Sequence, residues 1–166
     1  MSGEPLIIPA IEWQAHIRAI APDVQFPTML RAPYVMVPRT DWFDEVWNRQ
    51  WWEYCTAREF RYLEGSGMCE QFSRCAIAEL NFDCIEALRA FTPDRRDVHV
   101  AAAEMLCVIP PGLELNNVRD SGHSTCLVTL TNDGKTYETH AWEPQNRLRY
   151  PLAEALAAGL VLRDVV

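Results

Sequence analysis

The sequence predicts an α+β domain in which N-terminal helices pack on a small antiparallel sheet. Apolar residues recur at helical spacing in several segments of the first 91 residues, whereas alternation of side-chain character dominates after residue 103. The tripeptide Asn132-Asp133-Gly134 is a strong signal for a hairpin turn between two strands. Because the helical segments come first and the strand segments follow, the order predicts the α+β class.

The N-terminal 39 residues are predicted to form a short helix and a proline-rich ordered arm. The segment Pro9 to Ile20 has apolar residues at helical spacing and ends before Pro22. Four prolines between positions 22 and 38 exclude a long helix there, and Tyr34 to Val37 is expected to be extended. No domain boundary is indicated in this stretch, and 166 residues fit one domain that spans residues 1–166.

A helix is predicted to begin at Thr40, which is a good N-cap residue. The acidic residues at 41, 44 and 45 fall in its first turns, where the helix dipole favours negative charge. Trp42 with Val46, and Trp47 with Trp51, lie at helical spacing, and the aromatic rings of this segment are expected to be mostly core. The helix is expected to continue, or to restart, between residues 58 and 63, before the break at Gly65-Ser66-Gly67.

Two shorter helices are predicted next. Apolar residues from Cys69 to Leu80 share one helix face. Asn81 and Asp83 are expected to stop this helix and cap a second one, which runs from Phe82 to Phe91.

The second half is predicted to form strands and one short helix. The helix from Pro151 to Ala158 has proline in its first turn and Gly159 just past its end. The predicted strands are Ala103–Ile109, His123–Leu130, Lys135–Trp142, Leu148–Tyr150 as an edge strand, and Leu160–Val165.

Composition and charge exclude several classes of partner. The net charge is −8 and no basic run is present, which argues against a nucleic-acid surface. No stretch approaches the roughly 18 consecutive apolar residues that a membrane helix needs. No signal peptide precedes the six cysteines, so a cytoplasmic location with reduced thiols is expected. The cysteines also lack any C-x-x-C pair, so no structural zinc and no cofactor are predicted.

The chemistry is expected to centre on residues 67–73, which read Gly-Met-Cys-Glu-Gln-Phe-Ser. Glycine permits a close backbone approach, and the predicted helix start gives Cys69 the free N–H groups and the dipole that stabilise a thiolate. Glu70 is an anion beside that thiolate and works against its activation. The other cysteines are read as small buried apolar residues.

A nucleophilic thiol needs a base and a group that orients the base. Among the four histidines, His123 opens a predicted core strand after Ser121-Gly122. The hairpin register brings the end of the returning strand, near Glu143, closest to His123. Glu138 and His140 are the main rivals for these two roles.

These residues resemble the papain-like and transglutaminase-like cysteine peptidase superfamily. The likeness rests on Gly67-x-Cys69-Glu70-x-Phe72 at a helix start, Gly122-His123 at a strand start and Glu143-Pro144-Gln145 at the end of the next strand. It covers about residues 60 to 150. It implies a thiol-dependent hydrolase or acyl-transferase that acts on peptide, isopeptide or amide bonds of a peptide or protein substrate. The implied catalytic residues are Cys69, His123 and Glu143. Candidates for the oxyanion hole or the substrate groove are Gln50, Trp52, Tyr62, Trp142 and Gln145.

Other functions remain open at the level of sequence. Water would give hydrolysis and an amine would give transamidation. A catalytically inactive binding module of the same fold could recognise a protein or glycan through a tryptophan-rich surface. A weaker alternative is a zinc enzyme with Cys69, His123 and Glu143 as ligands.

Overall fold

The structure, a computed structural model, describes residues 5–26, 32–59, 69–92, 97–109 and 122–166. These residues form a mixed α+β fold with two sheets, in agreement with the predicted class. The strands are β1 (Leu6–Pro9), β2 (Tyr34–Val37), β3 (Val98–Val100), β4 (Ala102–Val108), β5 (Gly122–Leu130), β6 (Glu138–Glu143), β7 (Leu148–Pro151) and β8 (Val161–Val165). The helices are α1 (Ala10–Ile20), α2 (Thr40–Trp42), α3 (Asn48–Ala57), α4 (Cys69–Arg89) and α5 (Leu152–Ala157), with a π-helical turn (Phe43–Trp47) between α2 and α3.

The larger sheet has five strands in the order β7-β6-β5-β4-β8, and every neighbouring pair is antiparallel. The predicted turn at residues 132–134 connects β5 to β6. The Asp133 carboxylate accepts the backbone N–H groups of Lys135 and Thr136 at 2.8 and 2.7 Å, which lowers the pKa of Asp133 to about 2. Gly134 has a φ of +72°, a left-handed conformation that glycine adopts without strain. This turn fixes the register in which Trp142 faces Cys126.

Helices cover both faces of this sheet. Leu127 of β5 packs with residues of α1 and α5, whereas Cys126 and Val128 pack with residues of α3 and α4. This alternation follows from the two-residue period of a strand. The helices therefore divide between the two faces of the sheet, and β5 is buried on both sides.

A second, three-stranded sheet was not predicted. In it β1 and β2 are antiparallel, and β2 and β3 are parallel. Only the segment of β2 was expected to be extended, and β1 and β3, with four and three residues, were not predicted. The described residues of the N-terminal stretch thus form strand, helix and strand.

The helix α4 corrects one prediction. It runs unbroken through 21 residues, so the expected stop at Asn81 is wrong. The Asn81 side chain does not cap a new helix, because its oxygen accepts the backbone N–H of Val100 at 2.8 Å. Of the helix predicted from Thr40, the described part ends at Ala57, and residues 60–63 lie outside the described residues. In the described part of the chain, no helix has both the length and the apolarity to cross a membrane.

Candidate active site

The side chains of His123 and Glu143 form a buried pair. His123 begins the core part of β5 and Glu143 ends β6, and the antiparallel register brings these two strand ends together. The imidazole Nε2 lies 2.7 Å from Glu143 Oε2. His123 is 3% exposed and Glu143 is fully buried. With Glu143 ionised, Nε2–H donates to the carboxylate, and Nδ1 is then the ring nitrogen that can accept a proton.

Burial dominates the electrostatics of Glu143. It raises the pKa of this carboxyl, and the hydrogen bond to His123 opposes the shift. The second carboxylate oxygen accepts the backbone N–H of Gln145 at 3.2 Å. The side chain of Thr125 also opposes the shift, so the charged form of Glu143 is stabilised by residues that the β5–β6 hairpin and its following turn bring together.

The thiol of Cys69 lies at the first residue of α4. It is half-buried and faces a cleft of about 280 Å³, which we call the Cys69 cleft. A helix start leaves backbone N–H groups without intrahelical partners, and these groups favour a thiolate or an oxyanion nearby. The described residues that line the Cys69 cleft are Cys69, Glu70, Leu106, Cys107, His123, Ser124, Arg163 and Asp164.

The cleft lies at the end of the sheet, where groups from both faces meet. Strand alternation turns Ser124 towards α4 and turns His123 towards the opposite face. Cys69 reaches the same cleft from α4. Among the described contacts no hydrogen bond joins the thiol of Cys69 to the imidazole of His123.

Sequence reasoning missed Cys107, which is a second thiol in the cleft. Cys107 is the cross-strand partner of His123 on β4. Burial raises the pKa of Cys107 to about 12, and the nearby Glu143 and Cys69 add to the effect. Burial also raises the pKa of the other four thiols outside the cleft, Cys55, Cys75, Cys84 and Cys126. All six cysteines are free.

The remaining candidate residues lie elsewhere. Gln50 lines a different cleft between α3 and α4, and Trp52 is 43% exposed with Arg147 stacked over its ring. Trp142 is fully buried, and its ring packs against Trp47 with centroids 5.3 Å apart. Tyr62 and the glycines at 65 and 67 lie outside the described residues. Of the described candidates, Gln145 contacts the site, because its backbone N–H donates to Glu143.

Most of the tryptophan rings lie in the core rather than at the surface. Four of the six are buried, namely Trp13, Trp47, Trp51 and Trp142. The rings of Trp47 and Trp51 stack with centroids 6.2 Å apart, next to Tyr54. The described chain therefore has no broad tryptophan-rich surface of the kind that the binding-module alternative used.

The rival pair, Glu138 and His140, lies in a separate polar cleft of about 240 Å³. Arg149 approaches His140 Nδ1 at 3.1 Å, and Glu138 lies 3.3 Å from Nε2. Burial and Arg149 lower the pKa of His140 to about 4, against a weaker opposing effect of Asp44. His140 is thus neutral near pH 7 and is held away from Cys69. In the described ranges, no group of three or more His, Cys, Asp or Glu side chains is arranged to hold a metal ion.

Comparisons with known proteins give a fold likeness. No family model matches the chain. No curated protein matches its sequence either. A solved structure named "PSL1a-E64 complex" superposes with a TM-score of 0.63 at 11% sequence identity, and the match covers 96% of this chain and 50% of that one. The chain thus spans about half the length of the protein it matches, and the likeness concerns the α+β fold.

Proposed function

We propose that this chain is a thiol-dependent hydrolase or acyl-transferase of papain-like or transglutaminase-like fold. Its nucleophile is Cys69, its base is His123 and its orienting carboxylate is Glu143. The observation that carries the proposal is the buried 2.7 Å pair of His123 and Glu143, which borders the cleft that holds Cys69. The substrates are peptide, isopeptide or amide bonds of a peptide or protein.

The burial of Glu143 supports a positioning role. A fully buried carboxylate costs free energy, because charge is unfavourable in an apolar environment unless hydrogen bonds compensate. The compensation here comes from a histidine ring, one backbone amide and the side chain of Thr125. Such a carboxylate fixes the orientation and the tautomer of the ring, which is the role of the acidic residue in triads of nucleophile, histidine and acid.

The proposed reaction is acyl transfer. His123 accepts the proton of the Cys69 thiol, and the thiolate attacks the carbonyl carbon of the scissile bond. The imidazolium then gives this proton to the leaving amine as the carbon–nitrogen bond breaks, which leaves a thioester on Cys69. Attack by water on the thioester releases an acid, whereas attack by an amine forms a new amide, and both routes regenerate the thiol.

The start of α4 also supports this chemistry. The backbone N–H of Cys69 belongs to the first turn of a 21-residue helix, where the dipole and the free donors favour negative charge. A donor of this kind to a developing oxyanion contributes about 3 kcal/mol in enzymes where it has been measured. The cleft also presents Glu70, Arg163 and Asp164, so charges of both signs face a bound substrate.

A covalent probe tests the proposal. The probe is E64, which appears in the name of the similar structure. It is incubated with the wild-type protein and with Cys69→Ala, and the products are mapped by peptide mass spectrometry. We expect one adduct, on Cys69, which is lost in Cys69→Ala and slowed at least tenfold in His123→Ala.

The matched control for the probe is Cys75→Ala, because Cys75 is also half-buried and lies on α4 outside the cleft. This variant should react with E64 as fast as the wild type does. An adduct that forms equally fast without His123 would contradict the proposed base.

The alternative is a binding module of the same fold with no turnover. It predicts that Cys69→Ala retains the affinity of the wild-type protein for a peptide or protein ligand and that no member of an amide, isopeptide and peptide library is cleaved or transamidated. Turnover that disappears in Cys69→Ala supports the enzyme. Turnover that persists in Cys69→Ala shows that the nucleophile is wrong.

A further inference from the structure

Glu104 is a second buried carboxylate, and the proposed reaction does not use it. It lies on β4 and is 2% exposed. Its Oε1 accepts the hydroxyl proton of Ser124 at 2.6 Å, and its Oε2 accepts the Nε–H of Arg74 at 2.7 Å. An isolated charge at such a position is costly, and two short charge-assisted hydrogen bonds compensate it. The carboxylate thereby joins α4 to both β4 and β5.

Ser73 makes a second polar connection between α4 and β5. Its hydroxyl donates to the backbone oxygen of Ser124 at 3.1 Å, and the thiol of Cys126 donates to the backbone oxygen of Ser73 at 3.6 Å. Ser73 comes four residues after Cys69, so both side chains lie on one face of the helix, one turn apart. Ser124 comes directly after His123.

These connections lie close to the proposed nucleophile and base, because Ser73 is one helical turn after Cys69 and Ser124 directly follows His123. The helix α4 and the strand β5 both begin at the cleft, and Ala76 and Leu80 farther along α4 pack in the same cluster as Val128 and Leu130. A shift of the first turn of α4 along β5 would move Cys69 relative to His123. Displacements of about 1 Å are enough to reduce catalytic rates by about a hundredfold.

We infer that Glu104 is a positioning residue for the proposed reaction. Through Arg74 and Ser124 it holds the first turns of α4 against β5, so that the thiol of Cys69 keeps its place in the cleft that His123 also lines. This inference rests on the proposed function. The buried end of the network carries the effect, because the outer contact of Arg74 with Glu70 is longer, at 3.7 Å, and both side chains are at least half exposed.

The test measures the rate at which iodoacetamide alkylates Cys69 between pH 5 and pH 10, read by peptide mass spectrometry. The proteins are the wild type, Glu104→Gln, His123→Ala and the double variant. Glu86→Gln is the matched control, because it removes one negative charge from an exposed position on α4, the helix that begins at Cys69. Arg74→Gln removes the hydrogen bond between Arg74 and Glu104 by changing its more exposed partner. This variant replaces Glu104→Gln if circular dichroism shows that Glu104→Gln is not folded.

We expect Glu104→Gln to slow alkylation of Cys69 at pH 7 about tenfold or more and to move the pH midpoint of the rate to that of His123→Ala. In the His123→Ala background the Glu104→Gln change should have no further effect, because no base remains to be aligned. A purely structural role would lower the melting temperature and leave the pH midpoint in place.

Two negative outcomes are distinguishable. If wild-type alkylation depends on His123 but folded Glu104→Gln and Arg74→Gln both keep the wild-type midpoint, the positioning role is overturned and the proposed function stands. An equal loss of rate with and without His123 also overturns the positioning role. If wild-type alkylation does not depend on His123, the proposed function and this inference both fail.

Discussion

The neutral, buried state of His140 makes a quantitative prediction about acid stability. His140 is 5% exposed on β6, and its ring is enclosed by Arg149 and Glu138. Arg149 is in turn paired with Asp44 of the π-helical turn at 2.6 Å. Arg149 Nη1 lies 3.1 Å from Nδ1 and 3.2 Å from Nε2 of this ring, and Glu138 lies 3.3 Å from Nε2. Protonation of the ring would place a second positive charge against Arg149.

The size of the effect follows from the pKa difference. The pKa of His140 is lowered from 6.5 in the unfolded chain to about 4 in the folded chain, mainly by burial. Between these two pH values the unfolded state binds more protons, so stability is fully present above pH 6.5 and decreases as the pH falls to about 4. Each pKa unit corresponds to about 1.4 kcal/mol, so the loss is about 3 kcal/mol.

Urea unfolding of the wild type and of His140→Gln between pH 7 and pH 4 measures this contribution. The difference in free energy of unfolding between the two proteins should change by about 3 kcal/mol across that range, because carboxylates shared by both proteins cancel. His99→Gln is the control, because His99 is exposed on β3. Parallel pH profiles for the wild type and His140→Gln would refute the reasoning.

Further predictions concern the core and the site. Glu143→Ala should lower the free energy of unfolding by about 3 kcal/mol, because the buried His123 ring and one backbone N–H lose their acceptor; a loss below about 1 kcal/mol in urea unfolding would contradict this. Asn81→Ala should cost about 1 kcal/mol through the N–H of Val100, and amide exchange of that N–H should accelerate. Burial raises the pKa of Cys107 to about 12, so iodoacetamide at pH 8 should label Cys107 far more slowly than it labels Cys69.

Periodicity predicted the elements that are long and one-sided. The α+β class was confirmed. The bounds of the helix at residues 10–20 and of the strands β4 to β8 were confirmed within a few residues. The predicted helix end at Asn81 was wrong. The side chain of Asn81 binds the backbone N–H of Val100 on a distant strand, and local sequence does not reveal that partner. The small sheet was missed because its short strands are defined by pairing between distant segments, which no local pattern encodes.

The candidate site was likewise predicted only in part. The pairing of Glu143 with His123 followed from a turn at residues 132–134 and from counting along two strands. The nearby Cys107 and the carboxylate of Glu104 could not be found by counting, because β4 is joined to β5 by a long segment whose length does not fix a register. A single charged residue in the middle of the otherwise apolar strand Ala102–Val108 is the sequence signal that would have indicated Glu104.

The alkylation rate of Cys69 as a function of pH is the most direct test of the proposed nucleophile and base. We expect Cys69 of the wild type to be alkylated at least tenfold faster at pH 7 than Cys69 of His123→Ala, because the imidazole takes up the thiol proton. A rate and a pH profile identical to those of His123→Ala would contradict both assignments.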